Sequence, residues 1–105
     1  MNQAQQKTAD LLAALWLRNR PLIEERLATL DQAASSAAAG TLVEEVREHA
    51  ADTAHKLAGS LGMYGYDDGT RIARQLELLL DYATPDPVQI HNLTRELRQS
   101  LFPTA

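Results

Sequence analysis

The sequence predicts an all-α fold: an antiparallel, up-down-up-down four-helix bundle with an additional short N-terminal helix. Three observations carry this prediction. Apolar residues recur at helical spacing in five segments. Period-2 alternation is absent, and valine, isoleucine and threonine are sparse. Pro21, Gly40, Asp67–Asp68 and the run "TPDP" ending at Pro87 mark the breaks between the segments, where they act as stops and caps. Four helices of this size joined by short connections pack as antiparallel neighbours.

The first segment, about 4–18, carries Leu11, Leu12, Leu15 and Trp16 along one side. "RNRP" follows, and because Pro21 lacks an amide hydrogen it is expected to open a new helix over about 20–38. Ile23, Leu27 and Leu30 form the stripe of that helix, and its tail "QAASSAAAG" is a low-complexity stretch prone to fray, closed by Gly40. The third helix is expected over about 42–62, opened by a Thr41–Glu44 capping box. The fourth starts after an N-cap at Asp67 or Asp68 and carries Ile72, Leu76, Leu79 and Leu80. "TPDP" ends it, and Asp86 before Pro87 opens the fifth, with Ile90, Leu93, Leu97 and Leu101. With 105 residues, the chain 1–105 is expected to form a single domain.

Composition narrows the function classes. There is no cysteine, which excludes disulfides, thiolate metal sites and a cysteine nucleophile. The net charge of −4 and scattered basic residues argue against a nucleic-acid partner, which requires a basic face. No apolar run approaches the ~20 residues of a membrane span, and "MNQAQQKTAD" carries no apolar leader, so a cytoplasmic location is expected. Aromatic residues make up only 5% of the chain, so alanine and leucine must fill the core and Trp16 is the expected anchor of the first helix.

Four of the five glycines fall within "HKLAGSLGMYGYDDG": Gly59, Gly62, Gly65 and Gly69. Glycine within a helix costs roughly 1 kcal/mol relative to alanine, so this clustering needs a cause. Val43, Val46, Ala50, Ala54, Leu57 and Leu61 form the core stripe of the third helix, and His55 lies roughly 140° from its middle. Beside the ring lie Glu48, Ala51, Asp52, Ala58, Gly59 and Gly62. Two explanations stand at this point. The small residues keep the imidazole accessible to another molecule, or they let a neighbouring helix approach an ordinary surface histidine. A metal site from His49, His55 and His91 is disfavoured, because residues six apart on one helix point about 120° apart. A hydrolase using His55 with Ser60 or Asp52 is disfavoured likewise, since Ser60 lies about 140° from His55.

The run "HKLAGSLGMYGY" resembles the phosphoacceptor motif of histidine-containing phosphotransfer (HPt) domains, especially that of chemotaxis-type histidine kinases. His55, Leu57, Gly59, Ser60, Gly62, Tyr64, Gly65 and Tyr66 carry the resemblance, with Leu76–Glu77 matching on the next helix. The resemblance implies a phosphoryl carrier in a two-component phosphorelay, with His55 as phosphoacceptor and Glu77 orienting its ring. It implies attack through Nε2 while Nδ1 keeps its proton. Many members place a lysine three residues after the histidine; here that position is Ala58, and Arg71 or Arg74 is the expected substitute. Docking is expected on the His55 face and the preceding helix, with Ala51, Asp52, Lys56, Ala58, Gly59 and Gly62 as contact residues.

The expected partners are a response-regulator receiver domain and a histidine kinase. No cofactor is expected on this chain, since it carries neither a Walker loop nor a kinase glycine loop; magnesium belongs to the partner. A monomer suits a domain presenting one free face, and such domains often occur as modules of larger signalling proteins. The alternative is an HPt-like adaptor that docks without being phosphorylated, and Ala58 is the feature that favours it.

Overall fold

A computed structural model describes residues 2–103, of which the great majority are helical. Four helices follow one another: α1 Gln3–Ala38, α2 Glu44–Met63, α3 Asp67–Leu80 and α4 Pro87–Leu101. Each packs on its two neighbours around a square, α1 on α2 and α4, α3 on α2 and α4. Cross-helix bonds fix the antiparallel register. Arg26 Nη1 donates to Ser60 Oγ at 3.2 Å, Thr70 Oγ1 donates to the Ala58 carbonyl at 3.2 Å, and Arg98 pairs with Asp31. The core is aliphatic, with Ile23, Leu27, Leu30, Leu57, Leu61, Ile72, Leu76, Leu80, Ile90 and Leu97 almost wholly buried.

The bundle agrees with the sequence, but the short N-terminal helix is not a separate element. Residues 3–38 form one helix of 36 residues with Pro21 inside it. Proline forfeits one helical hydrogen bond, to the carbonyl of Leu17. Leu17 is two-thirds exposed, so water can serve that carbonyl. The first buried residue of α1 is Ile23; the turns before it contribute no fully buried side chain, and the molecule is 53 Å long. Trp16 ties these turns down, with its ring centroid 5.3 Å from Tyr64, 4.6 Å from Tyr66 and 5.9 Å from Phe102.

The alanine-rich tail of α1 does not fray, because Ala33, Ala34 and Ala37 are buried. Gly40 follows with φ +72°. The Thr41 amide then bonds the Ser36 carbonyl at 2.8 Å and the Gly40 amide bonds Ala37 at 3.1 Å, a Schellman closure. Gly65, φ +80°, closes α2 in the same way: the Tyr66 amide bonds Leu61 and the Gly65 amide bonds Gly62.

The predicted Thr41–Glu44 capping box does not form. The Thr41 hydroxyl donates to Ser36, and the N-cap of α2 is Val43, without a side-chain cap. Glu44 is drawn to Arg47, whose Nε donates to Oε2 at 3.0 Å. Arg47 also donates from Nη1 to the Leu80 carbonyl at 2.6 Å and is almost buried, joining the start of α2 to the end of α3. Asp67 and Asp68 lie in the first turn of α3 rather than at its N-cap, which is Tyr66. Asp86 caps α4 as expected, Oδ1 accepting from the Val88 amide at 2.9 Å.

Candidate functional site

His55 sits in the middle of α2, with about 70% of its side chain exposed. Its Nδ1 lies 2.8 Å from Glu77 Oε1 on α3. An ionised carboxylate only accepts, so Nδ1 must carry the proton in this pair and, in the neutral ring, Nε2 holds the free lone pair. Nε2 makes no hydrogen bond to any described residue. The arrangement is an exposed imidazole, fixed in orientation and tautomer, with its nucleophilic nitrogen open to solvent.

The ring opens onto a groove of about 340 Å³ between α2 and α3, lined by Ala51, Asp52, His55, Glu77, Leu78 and Asp81. Its rim is acidic. Asp52 pairs with Lys56 at 3.0 Å, and this lysine, with a smaller contribution from His55, holds the Asp52 carboxyl below the usual range. Among the described residues, no group of three or more histidine, cysteine, aspartate or glutamate side chains is placed to hold a metal ion.

The other predicted residues divide by position. Ala51, Asp52 and Lys56 lie on the same face of α2 as His55, Ala51 half-buried and the other two exposed. Ala58 is only 4% exposed, with its carbonyl accepting from Thr70, so it has almost no side chain to offer a partner. Its placement on the accessible face needs correcting, because α3 approaches closely enough there to cover a methyl group. Gly59 is exposed, and a β-carbon there would meet no atom within 4 Å. A β-carbon added at Gly62 would lie 3.5 Å from Thr70 Oγ1, and one at Gly69 would come within 3.2 Å of Leu61 and Leu101. The glycine cluster therefore has several causes: a helix stop at Gly65, close packing at Gly69, and open ground beside the ring at Gly59.

Arg71 makes a 3.9 Å pair with Asp68, whereas Arg74 is exposed and has no hydrogen-bond or ion-pair partner among the described residues. Residue 55 faces 77 and residue 62 faces 70 across the α2–α3 seam; the level of Ala58 is therefore that of Arg74. Sequence reasoning missed Leu78 and Asp81. A signal for Leu78 was present, since it falls outside the Ile72–Leu76–Leu79 stripe that buries α3.

A bundle presenting one carboxylate-held imidazole to solvent is the form of a phosphotransfer module, one that carries a group and lends it to partners. The chain matches the Hpt domain family over residues 20–101 and belongs to that family. It is also 33% identical over 79 residues to protein RcaC of Microchaete diplosiphon, covering 75% of this chain and 12% of that protein's length. No solved structure matches the chain significantly. No described helix is long and apolar enough to cross a membrane.

Proposed function

We propose that the chain is a phosphoryl carrier in which His55 Nε2 accepts a phosphoryl group from an aspartyl phosphate on a receiver domain and, in the reverse direction, passes one to the receiver's aspartate carboxylate. The observation that carries this is the 2.8 Å contact between His55 Nδ1 and Glu77 Oε1 on an exposed ring. In the accepting direction the N–P bond forms at Nε2 as the acyl phosphate P–O bond breaks, and the aspartate leaves as a carboxylate. Nδ1 keeps its proton throughout, and Glu77 stabilises the positive charge that builds on the ring.

Phosphoryl transfer depends on alignment and on neutralising the oxyanion. The acidic rim supplies little neutralisation, so magnesium and a cation of the receiver or kinase must provide most of it. Arg74, unpaired and level with Ala58, is the residue of this chain that takes the part of the missing lysine. Ala51, Asp52, Lys56, Gly59 and Gly62 surround the ring and form the ground a partner covers. The domain acts as a single unit over residues 1–105, as a monomer in the cytoplasm, and draws its phosphoryl groups from a kinase or receiver, in keeping with a sequence that carries neither a Walker loop nor a kinase glycine loop.

The test is phosphoryl uptake followed by intact-mass spectrometry, with His55→Gln as control. One acid-labile phosphoryl group on the wild type and none on the variant is the expected result. No uptake from several competent donors by a folded chain would instead indicate a docking adaptor that is never phosphorylated.

A further inference from the structure

The ground beside His55 is not polar throughout. Leu78, the residue after Glu77, is 69% exposed and is the one large apolar side chain lining the His55 groove. It also borders a second groove of about 440 Å³ between α3 and α4, where Leu79 and Leu93 lie. Leu78 is thus the ridge between the two. Tyr82, just past the C-terminal end of α3, is 68% exposed. Arg71, Arg74 and Asp81 all fall within about 60° of Leu78 around the α3 axis. An exposed leucine ringed by charged groups has the make-up of an interface anchor within a polar rim.

The acidic rim sharpens the point. Asp52, Glu77 and Asp81 repel an incoming phosphoryl group, so the affinity that brings a donor to His55 must come from elsewhere on the surface. An apolar contact alongside the ring supplies it without adding charge.

We infer that Leu78, extended by Tyr82, is the apolar anchor on which the receiver domain seats while its aspartyl phosphate meets His55. This rests on the carrier function proposed above. The complementary receiver surface is an apolar patch beside the phosphorylated aspartate, with basic residues placed to meet Asp52 and Asp81. Docking then runs across α3 rather than across α1, the helix favoured by the sequence.

Two donors separate chemistry from docking. Phosphoramidate, a small-molecule donor, needs no docking surface; receiver domains charged with acetyl phosphate do. Leu78→Ala and Tyr82→Ala are compared with Leu11→Ala, a control at an equally exposed leucine remote from the ring. The expected result is equal labelling of His55 by phosphoramidate in all variants. With the fastest receiver donor, the half-saturating concentration rises roughly tenfold for Leu78→Ala, with little change in the rate at saturation and none for Leu11→Ala. Receiver transfer to Leu78→Ala indistinguishable from wild type overturns the anchor and leaves the carrier function standing. Loss of phosphoramidate labelling in Leu78→Ala overturns it too, by showing that the leucine serves the chemistry. Failure of the wild type to label with either donor brings down the carrier function and the anchor with it.

Discussion

Glu77 stands 22 residues beyond His55 in the chain, yet its carboxylate meets the imidazole Nδ1 at 2.8 Å. The two residues lie on different helices, so the contact holds only while α2 and α3 keep their register. That register is set by buried leucines and by the Thr70–Ala58 bond, which places the orienting carboxylate under the control of the core.

Glu77→Ala is expected to slow phosphoryl uptake by roughly ten- to a hundredfold, the usual scale for a positioned proton-handling group. Stability should change little, because Glu77 is partly exposed. Nitrogen NMR of the His55 ring provides the check: a single tautomer in the wild type becomes a mixture of two in the variant.

Arg47→Ala is expected to destabilise the bundle by about 1–3 kcal/mol, the cost of leaving a buried acceptor unpaired. The acceptor is the Leu80 carbonyl. Denaturant unfolding measures the loss, and Arg47→Met, which keeps the bulk without the donor, should recover only part of it.

Two carboxyls are held below their usual range, Glu44 chiefly by its hydrogen bond with Arg47 and Asp52 chiefly by its hydrogen bond with Lys56. A depressed folded-state value means that the native state releases these protons more readily than the unfolded chain. Their contribution is therefore present above the unfolded values near ~4 and is lost as pH falls through the folded ones. Tm is expected to hold steady from neutral pH down to about 5 and to decline below about 4. Glu44→Gln combined with Asp52→Asn should make that decline shallower.

Gly59 and Gly65 should respond oppositely to alanine. Gly65→Ala forces a side chain into φ +80° and is expected to cost roughly 1 kcal/mol. Gly59→Ala meets open space inside a helix and should stabilise by up to about 1 kcal/mol. If open ground there serves docking, transfer from a receiver falls severalfold in Gly59→Ala while phosphoramidate labelling is unchanged. Thermal melts and the two donor assays together decide both points.

Much of this protein was legible in one dimension, because helical periodicity acts locally. The spacing of Ile72, Leu76 and Leu80 marks α3 whatever it packs against, and all three are buried. Asp86 before Pro87 caps α4 with its own side chain. The outward direction of His55 follows from the angle between it and the Ala50–Leu57–Leu61 stripe, and the ring is exposed.

What escaped the sequence involves competition between partners distant in the chain. Thr41 and Glu44 satisfy the pattern of a capping box, but Arg47 takes the glutamate because the end of α3 brings the Leu80 carbonyl within reach. Pro21 reads as a helix start, yet α1 runs through it, because the helix is held on either side of the proline at Trp16 and Ile23 and that packing offsets the cost of the break. Ala58 lies on the His55 side by helical angle and is nevertheless covered by α3. Periodicity determined which face each helix turns inward; only the approach of one helix to another decided which groups on the remaining faces meet, because that depends on distances no local pattern encodes.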